Sequence, residues 1–492
     1  MKTRADYRPV VAFFLFYYVF YSFFLHPFYS YDDLCYALDV EYGPPINLFH
    51  ANHLFYNLTM RLVWSMMRGH ASVMPRAIFT MQAINTMTAA GAVALLYRVL
   101  ALSLGSRRAG LAAVLFGNNF ALMQNASDSG CYAVASLASV FVLGLILKVN
   151  EWSAFRLGFL HGIAVLYHQL LILPAVTFCL RLRQRVSIAL YLLGLASSCG
   201  MVYMVIGWYF HGPTIGSIFY WFTHYAGASV SPPGTRFIYF DLGHQGLVSL
   251  RALIESFSGS QDLAWLICFA VLLPISFKGD LPWVLWSWPV LFFCVQWIYF
   301  PSALTYRLLA WPALCALIAA GRIWKRTWAW MLALGFGVFL LVHNAITLHQ
   351  RPIPYAIDMK RAYWLTRVAG PNDYFIFAGR GTDSITNVCM AYFAHAVPAR
   401  SLYGYLFLQP NGDMTALNAQ LSAVQSRGGR IFVESDLRDT HVLQSLEMER
   451  GLPSGTLAQT IQHWKPIVHI LGPEGYAIDQ AILDFHNNAG SQ

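Results

Sequence analysis

The sequence predicts a multi-pass α-helical membrane protein, with about 11 crossings of which two are short, followed by a C-terminal extracytoplasmic α/β domain. Three observations carry this. The 492 residues are 57% hydrophobic and only 11% charged, with a mean hydropathy of +0.49. A water-soluble chain of this length buries less apolar surface and carries more charge. Apolar runs long enough for a bilayer recur up to about residue 348. Beyond residue 350 the pattern changes to short β-rich runs alternating with helical stretches.

The expected spans lie at about 9–26, 77–100, 109–124, 130–148, 187–210, 263–277, 281–300, 303–321 and 328–348. The first follows Lys2, Arg4 and Arg8 and precedes His26-Pro27-Phe28. No small-residue cleavage site follows it, so it reads as a retained helix. The run 157–180 is interrupted by His168, Gln169 and Pro174 and is basic at both ends, with Arg156 before it and Arg181, Arg183 and Arg185 after. Equal charge at both ends predicts a hairpin of two short helices with His168 and Gln169 at its tip.

Basic residues set the orientation. Lys2, Arg4, Arg8, Arg98, Arg107, Arg108, Lys148, Arg156, Arg181, Arg183, Arg185, Lys278, Arg322, Lys325 and Arg326 fall at alternate turns; Arg61, Arg68, Arg76, Arg236, Arg251 and Arg307 are the exceptions. The N-terminus is therefore expected in the cytoplasm. The net charge of +9 is a topology signal, and no nucleic-acid partner is expected. The expected division is a membrane module over 1–349, with external loops at 27–75 and 211–262, and an α/β domain over 350–492. Within that domain strands are expected at 373–379 and 430–435, and helices at 384–396, 416–429 and near 438–450. The GRGTDS stretch at 379–384 reads as a strand-to-helix turn. The eight cysteines have no metal-ribbon or disulfide spacing.

Candidate chemistry concentrates in the first external loop. Tyr29–Leu62 holds Asp32, Asp33, Asp39 and Glu41, together with His50 and His53. Carboxylates at a membrane edge are costly unless something uses them. In Asp32-Asp33 one carboxylate could serve as general base while its neighbour orients it or binds an ion; capping a helix that begins at Leu34 is the structural alternative. His50 and His53, on one face of an expected amphipathic helix, suit a divalent metal together with Asp33, a phosphate, or a plain polar rim. Arg307, at an outer helix end, reads either as a phosphate clamp or as a snorkelling residue. His168 reads as a second phosphate contact or a satisfied core histidine. His224 and His244 lie in an aromatic-rich external loop that could close over a lipid-linked sugar, or simply form an interfacial belt.

These residues resemble the motifs of polytopic glycosyltransferases that use polyprenyl-phosphate sugars, the GT-C superfamily. The likeness is to the branch of lipid A aminoarabinose transferases and protein O-mannosyltransferases. Asp32-Asp33-Leu34-Cys35-Tyr36 is similar to the family's acidic D-E-x-x-Y motif after the first helix. Asn52-His53-Leu54-Phe55-Tyr56 loosely resembles its H/K-P-P-L-Y-Y stretch. Gly162…Tyr167-His168-Gln169…Pro174 and Tyr306-Arg307-Leu308-Leu309-Ala310-Trp311-Pro312 resemble two later ones. The resemblance implies Asp32 as the catalytic position, with Tyr36, His50, His53, Tyr56, His168, Gln169, Tyr306 and Arg307 contacting substrate. It implies a polyprenyl-phosphate sugar donor, an acceptor that is lipid, glycan or protein, inverting transfer at the outer face, and a bacterial inner membrane. Cys35 stands where aminoarabinose transferases have Arg, and the Pro-Pro pair is missing from the loop helix at 50–58, so the sugar and acceptor stay open. A lipid-linked glycan flippase and an O-antigen-type polymerase or ligase are the alternatives. The residues name no certain cofactor beyond the divalent ion already mentioned.

Overall fold

The computed structural model describes residues 7–25, 31–67, 76–218, 242–265, 267–268, 272, 279–299, 302–350, 356–370, 372–378, 399–401, 414–450, 452–462, 464–472 and 477–483. The chain forms two compact units. One comprises Met1–Phe28, Asp39–Ala226 and Arg236–Pro352; the other comprises Tyr29–Leu38, Gly227–Thr235 and Ile353–Gln492.

The first unit is helical. Among the described residues, three of its stretches are long and apolar enough to cross a membrane: Ala77–Leu104, Arg185–Phe210 and Thr327–Gln350. Shorter apolar helices cover Arg8–Ser22, Tyr132–Leu147, Ala154–Val165, Gln169–Leu182, Trp283–Ile298 and Leu304–Ala320. The expected span 263–277 lies mostly outside the described residues. In chain order the helices are α1 (Arg8–Ser22), α2 (Tyr31–Glu41, of which Tyr31–Leu38 belongs to the second unit), α3 (Tyr56–Met67), α4 (Ala77–Leu104), α5 (Ser106–Gly117), α6 (Phe120–Ser127), α7 (Tyr132–Leu147), α8 (Ala154–Val165), α9 (Ala175–Leu182), α10 (Arg185–Leu195) and α11 (Met201–His211). Then come α12 (Leu242–Ser258), α13 (Ser287–Ile298), the single turn α14 (Leu304–Arg307), α15 (Trp311–Ala320) and α16 (Thr327–Gln350).

Two departures from the expected spans have local causes. The run 109–124 is not one helix; it breaks between α5 and α6. Asn119 caps α6, its Oδ1 accepting from the Leu122 amide at 3.2 Å. Asn118 accepts from Tyr17 Oη at 2.8 Å and donates to the Gly337 carbonyl at 2.7 Å, while Asn344 donates to the Asn118 carbonyl at 2.6 Å. The break is thus satisfied by α1 and α16, as a membrane interior requires. Likewise α10 and α11 are joined through a π-helical turn at Ala196–Gly200, one residue wider than an α-helical turn.

The 157–180 hairpin forms as expected, with α8 descending to a short 3₁₀ turn at Gln169–Ile172 and α9 returning. Small residues let α10 pack backbone to backbone on α8. A Cβ on Gly158 would lie 1.9 Å from the Tyr191 carbonyl oxygen, and one on Gly194 would lie 2.1 Å from that of Phe155. At Gly162 it would meet Ser198 Oγ at 1.9 Å.

The second unit contains α17 (Ala356–Val368) and a five-stranded sheet. Its strands are β1 (Tyr374–Phe377), β2 (Ala399–Ser401), β3 (Ile431–Glu434), β4 (Trp464–Leu471) and β5 (Ala477–Leu483), in the order β2-β1-β3-β5-β4. The first three are parallel; β5 joins β3 and β4 antiparallel. Helices α18 (Thr415–Ser426), α19 (Thr440–Arg450) and α20 (Thr456–Ile461) complete it. Leu417, Leu421, Leu446 and Leu457 pack with Ile376, Ile431 and Val433 in its core. Buried polar groups are paired: Asp373 with Arg430 at 2.6 Å, and Asp479 with Arg438 at 2.5 Å and His469 at 2.6 Å. The expected strands at 373–379 and 430–435 and helices at 416–429 and 438–450 are present. GRGTDS and the 384–396 helix lie outside the described residues.

Candidate active site

Asp32 and Asp33 stand in the first turn of α2, where the positive end of the helix dipole favours carboxylates. They differ in surroundings. Asp33 is buried, with 1% of its surface accessible, while Asp32 is exposed. Tyr36, one turn on, is half-buried.

Further along α2, Asp39 has a defined partner. Its Oδ2 lies 3.0 Å from His50 Nε2, and its Oδ1 accepts from Asn47 Nδ2 at 2.9 Å. The Gly43-Pro44-Pro45 turn between them folds residues 46–50 back against the end of the helix. The amphipathic helix expected from His50 starts only at Tyr56; residues 50–55 form consecutive turns instead, with the His53 amide donating to the His50 carbonyl and the Tyr56 amide to that of His53, each at 3.1 Å. His50 and His53 are brought together all the same. Their rings stack at 4.9 Å with 19° between planes. Both are buried. Burial, with His50 and His168 nearby, lowers the affinity of His53 for a proton well below that of a free histidine. A neutral His53 would meet an anion as a hydrogen-bond donor, not as a cation.

The metal reading fits this geometry poorly. An imidazole lone pair lies in the ring plane, and two nearly parallel rings do not aim at one point between them. Among the described residues no group of three His, Cys, Asp or Glu side chains could hold an ion.

The turn at 50–55 is held by the hairpin tip. Gln169 donates from its amide to the Asn52 carbonyl at 2.8 Å and from Nε2 to Asn52 Oδ1 at 2.7 Å, and the Phe55 amide donates to the Leu166 carbonyl at 3.0 Å. Tyr203 of α11 donates to the Ala51 carbonyl at 2.6 Å. His168 caps the following 3₁₀ turn, its Nδ1 accepting from the Leu170 amide at 3.2 Å. Its ring packs on Tyr132 at 5.4 Å and Tyr306 at 5.8 Å. The next residue, Arg307, is buried within α14; it donates from Nη2 to Ser249 Oγ at 2.8 Å and from Nη1 to the Ala303 carbonyl. A buried guanidinium is not a snorkelling one, which removes that alternative.

Tyr56 completes the group from the other side. Its ring meets His53 edge-on at 6.0 Å, and its hydroxyl donates to the Ser129 carbonyl at 2.5 Å. The 126–130 turn is carried by α4: Asn85 Nδ2 reaches the carbonyls of Asp128 at 2.8 Å and Gly130 at 2.7 Å, and Thr86 reaches that of Ala126 at 2.8 Å. Asn85→Leu strands those carbonyls away from water. We expect a loss of about 2–3 kcal/mol, read as a lower melting temperature in detergent, with Thr88→Ala on the half-buried side of α4 unchanged.

Within the first unit the structure thus links His50, His53, Tyr56, Gln169, His168, Tyr306 and Arg307. His244 is exposed on α12; His224 lies outside the described residues. Sequence reasoning assigned no role to Asp39, Asn52, Tyr132, Asp128, Tyr203 or Ser249. Only Asp39 had a legible signal, the Gly-Pro-Pro turn that returns the chain to it.

No family model and no curated protein matches the sequence. Solved structures do match the fold. ArnT from Cupriavidus metallidurans bound to undecaprenyl phosphate is 11% identical with a TM-score of 0.59, over 97% of this chain and 98% of that one. Its apo state gives 0.60 at 11% identity, over 96% and 97%. An oligosaccharyltransferase from Archaeoglobus fulgidus, tethered to an acceptor peptide, gives 0.54 at 10% identity, over 98% of this chain and 75% of that one. The chain therefore shares the fold of these structures over nearly its full length.

Proposed function

We propose that this protein transfers a monosaccharide from a polyprenyl-phosphate carrier to an acceptor hydroxyl at the outer face of the membrane, with inversion at the anomeric carbon. The observation that carries the reading is the near-full-length likeness to ArnT, whose structure holds undecaprenyl phosphate. The chemistry of the residues supports it. Asp32, exposed on α2, takes the proton of the acceptor hydroxyl. The acceptor oxygen forms its bond to the anomeric carbon as the bond from that carbon to the phosphate oxygen breaks. The carrier phosphate leaves with the electron pair. Buried Arg307 offers a cation for that charge, and His168 and His53 offer N–H donors. The acceptor is a lipid, a glycan or a protein. The N-terminus lies in the cytoplasm and the C-terminal unit outside, in a bacterial inner membrane.

The test supplies the purified protein in vesicles with a radiolabelled polyprenyl-phosphate sugar or the matching nucleotide sugar, together with an envelope lipid extract and peptide acceptors. Label should pass from the lipid donor alone. Transfer from the nucleotide sugar would overturn the donor assignment. Movement of labelled lipid across the bilayer without transfer would replace the reading with a flippase.

A further inference from the structure

At the end of the first unit where α5 and α16 begin, an apolar groove of about 410 Å³ opens between them. That volume is in the range of ordinary ligand sites. Leu111 and Leu115 of α5 form one wall and Trp324, Trp328, Leu332 and Phe336 another, while Ile267, Cys268 and Leu272 line a third side. Its lining is nearly all carbon. The Trp328 and Leu332 side chains are left largely exposed by the protein, at 55% and 67%.

The mouth of this groove is strongly basic. Arg108 Nη1, Arg322 Nε and Lys325 Nζ converge on the single carboxylate of Asp280, at 2.8, 3.1 and 2.9 Å. Three cations on one anion leave surplus positive charge, and exposed Arg107 and Arg326 add to it. Trp330 Nε1 donates to the Arg107 carbonyl at 3.2 Å, tying the two helix starts together beside the mouth. Both helices point their positive ends there. The Arg322 and Lys325 side chains remain 72% and 57% exposed although paired.

An apolar groove beneath a positive rim is complementary to one kind of molecule: a lipid with a phosphate at the head and a hydrocarbon tail. We propose that this groove holds an anionic glycerophospholipid of the leaflet at the Asp280 end, one acyl chain between α5 and α16 and the phosphate against Arg322, Lys325 and Arg326. The assignment does not rest on the transfer reaction, because it is read as lipid retention.

The experiment is native mass spectrometry of the full chain in detergent, titrated with phosphatidylglycerol or phosphatidylcholine of identical acyl chains. One phosphatidylglycerol should be retained per chain, at a concentration about fivefold lower or more than phosphatidylcholine. Arg322→Gln combined with Arg326→Gln should reduce that preference to within about twofold. Ala333→Phe, which fills the groove floor, should abolish retention of both lipids; if that variant fails to fold, the charge variants decide alone. Equal retention of the two lipids by the wild type overturns the proposal, as does a preference that survives the charge variants. Displacement of the bound lipid by an equimolar polyprenyl phosphate also overturns it, since the groove would then belong to the carrier.

Discussion

Asparagine at position 32 should, on the proposed reading, lower transfer from a polyprenyl-phosphate sugar by about 10²–10⁴-fold, the ordinary worth of a positioned base. Asn keeps the shape and the hydrogen bonding of the helix start but cannot take a proton. The loss should fall on kcat and leave the donor KM near the wild-type value. Arg307→Gln divides the effect differently, raising the donor KM as well, because a phosphate contact acts on the bound carrier in both ground and transition states. Asp33→Asn is the internal control. Asp33 is buried and Asp32 is exposed, so the Asp33 variant should lose stability first and turnover less. A full loss of turnover in a stable Asp33→Asn protein, with Asp32→Asn active, would exchange the two roles.

The second large effect is structural. Gly158→Leu should cost about 3 kcal/mol or more, at the upper end of overpacking effects, because the new side chain meets backbone and not a movable side chain. The Tyr191 carbonyl cannot swing aside without unwinding α10. Even Gly158→Ala should lower the melting temperature in detergent clearly. Gly91→Ala is the reference, since its added Cβ would have Leu137 Cδ1 at 4.0 Å as its nearest neighbour. Equal melting temperatures for the two alanine variants would show that α8 and α10 can separate freely. Because α8 leads to His168 and Gln169, the same substitution should also disturb the turn at 50–55 that Gln169 holds.

How much of this was legible in the sequence depended on whether its cause was local. Spans such as α4 and α16 follow from hydropathy, which each residue carries alone. The α8–α9 hairpin followed from charge at both ends of one short run. The break at Asn118 did not, because its partners Tyr17 and Gly337 lie 101 and 219 residues away. The His50–His53 proximity was foreseen, but on a helix; the Gln169–Asn52 pairing that replaces the helix spans 117 residues. Burial of Arg307 was equally hidden, since an arginine beside an apolar run looks the same whether it faces lipid headgroups or Ser249. In the second unit β4 was missed because Pro466 and an almost wholly exposed pattern give it no alternation.

The π-helical turn at Ala196–Gly200 sets which way α11 faces. It holds one residue more than an α-helical turn would. Each α-helical residue advances about 100° around the axis, so the extra one sets the azimuth of everything downstream. Gly194 and Ser198 keep their place against α8, while Tyr203 is carried round to the Ala51 carbonyl. A relative lacking that one residue would keep the same hydropathy and an unbroken helix, yet present a different side chain to the histidine turn. In aligning distant members of this fold, a one-residue gap here is therefore worth more attention than many substitutions elsewhere.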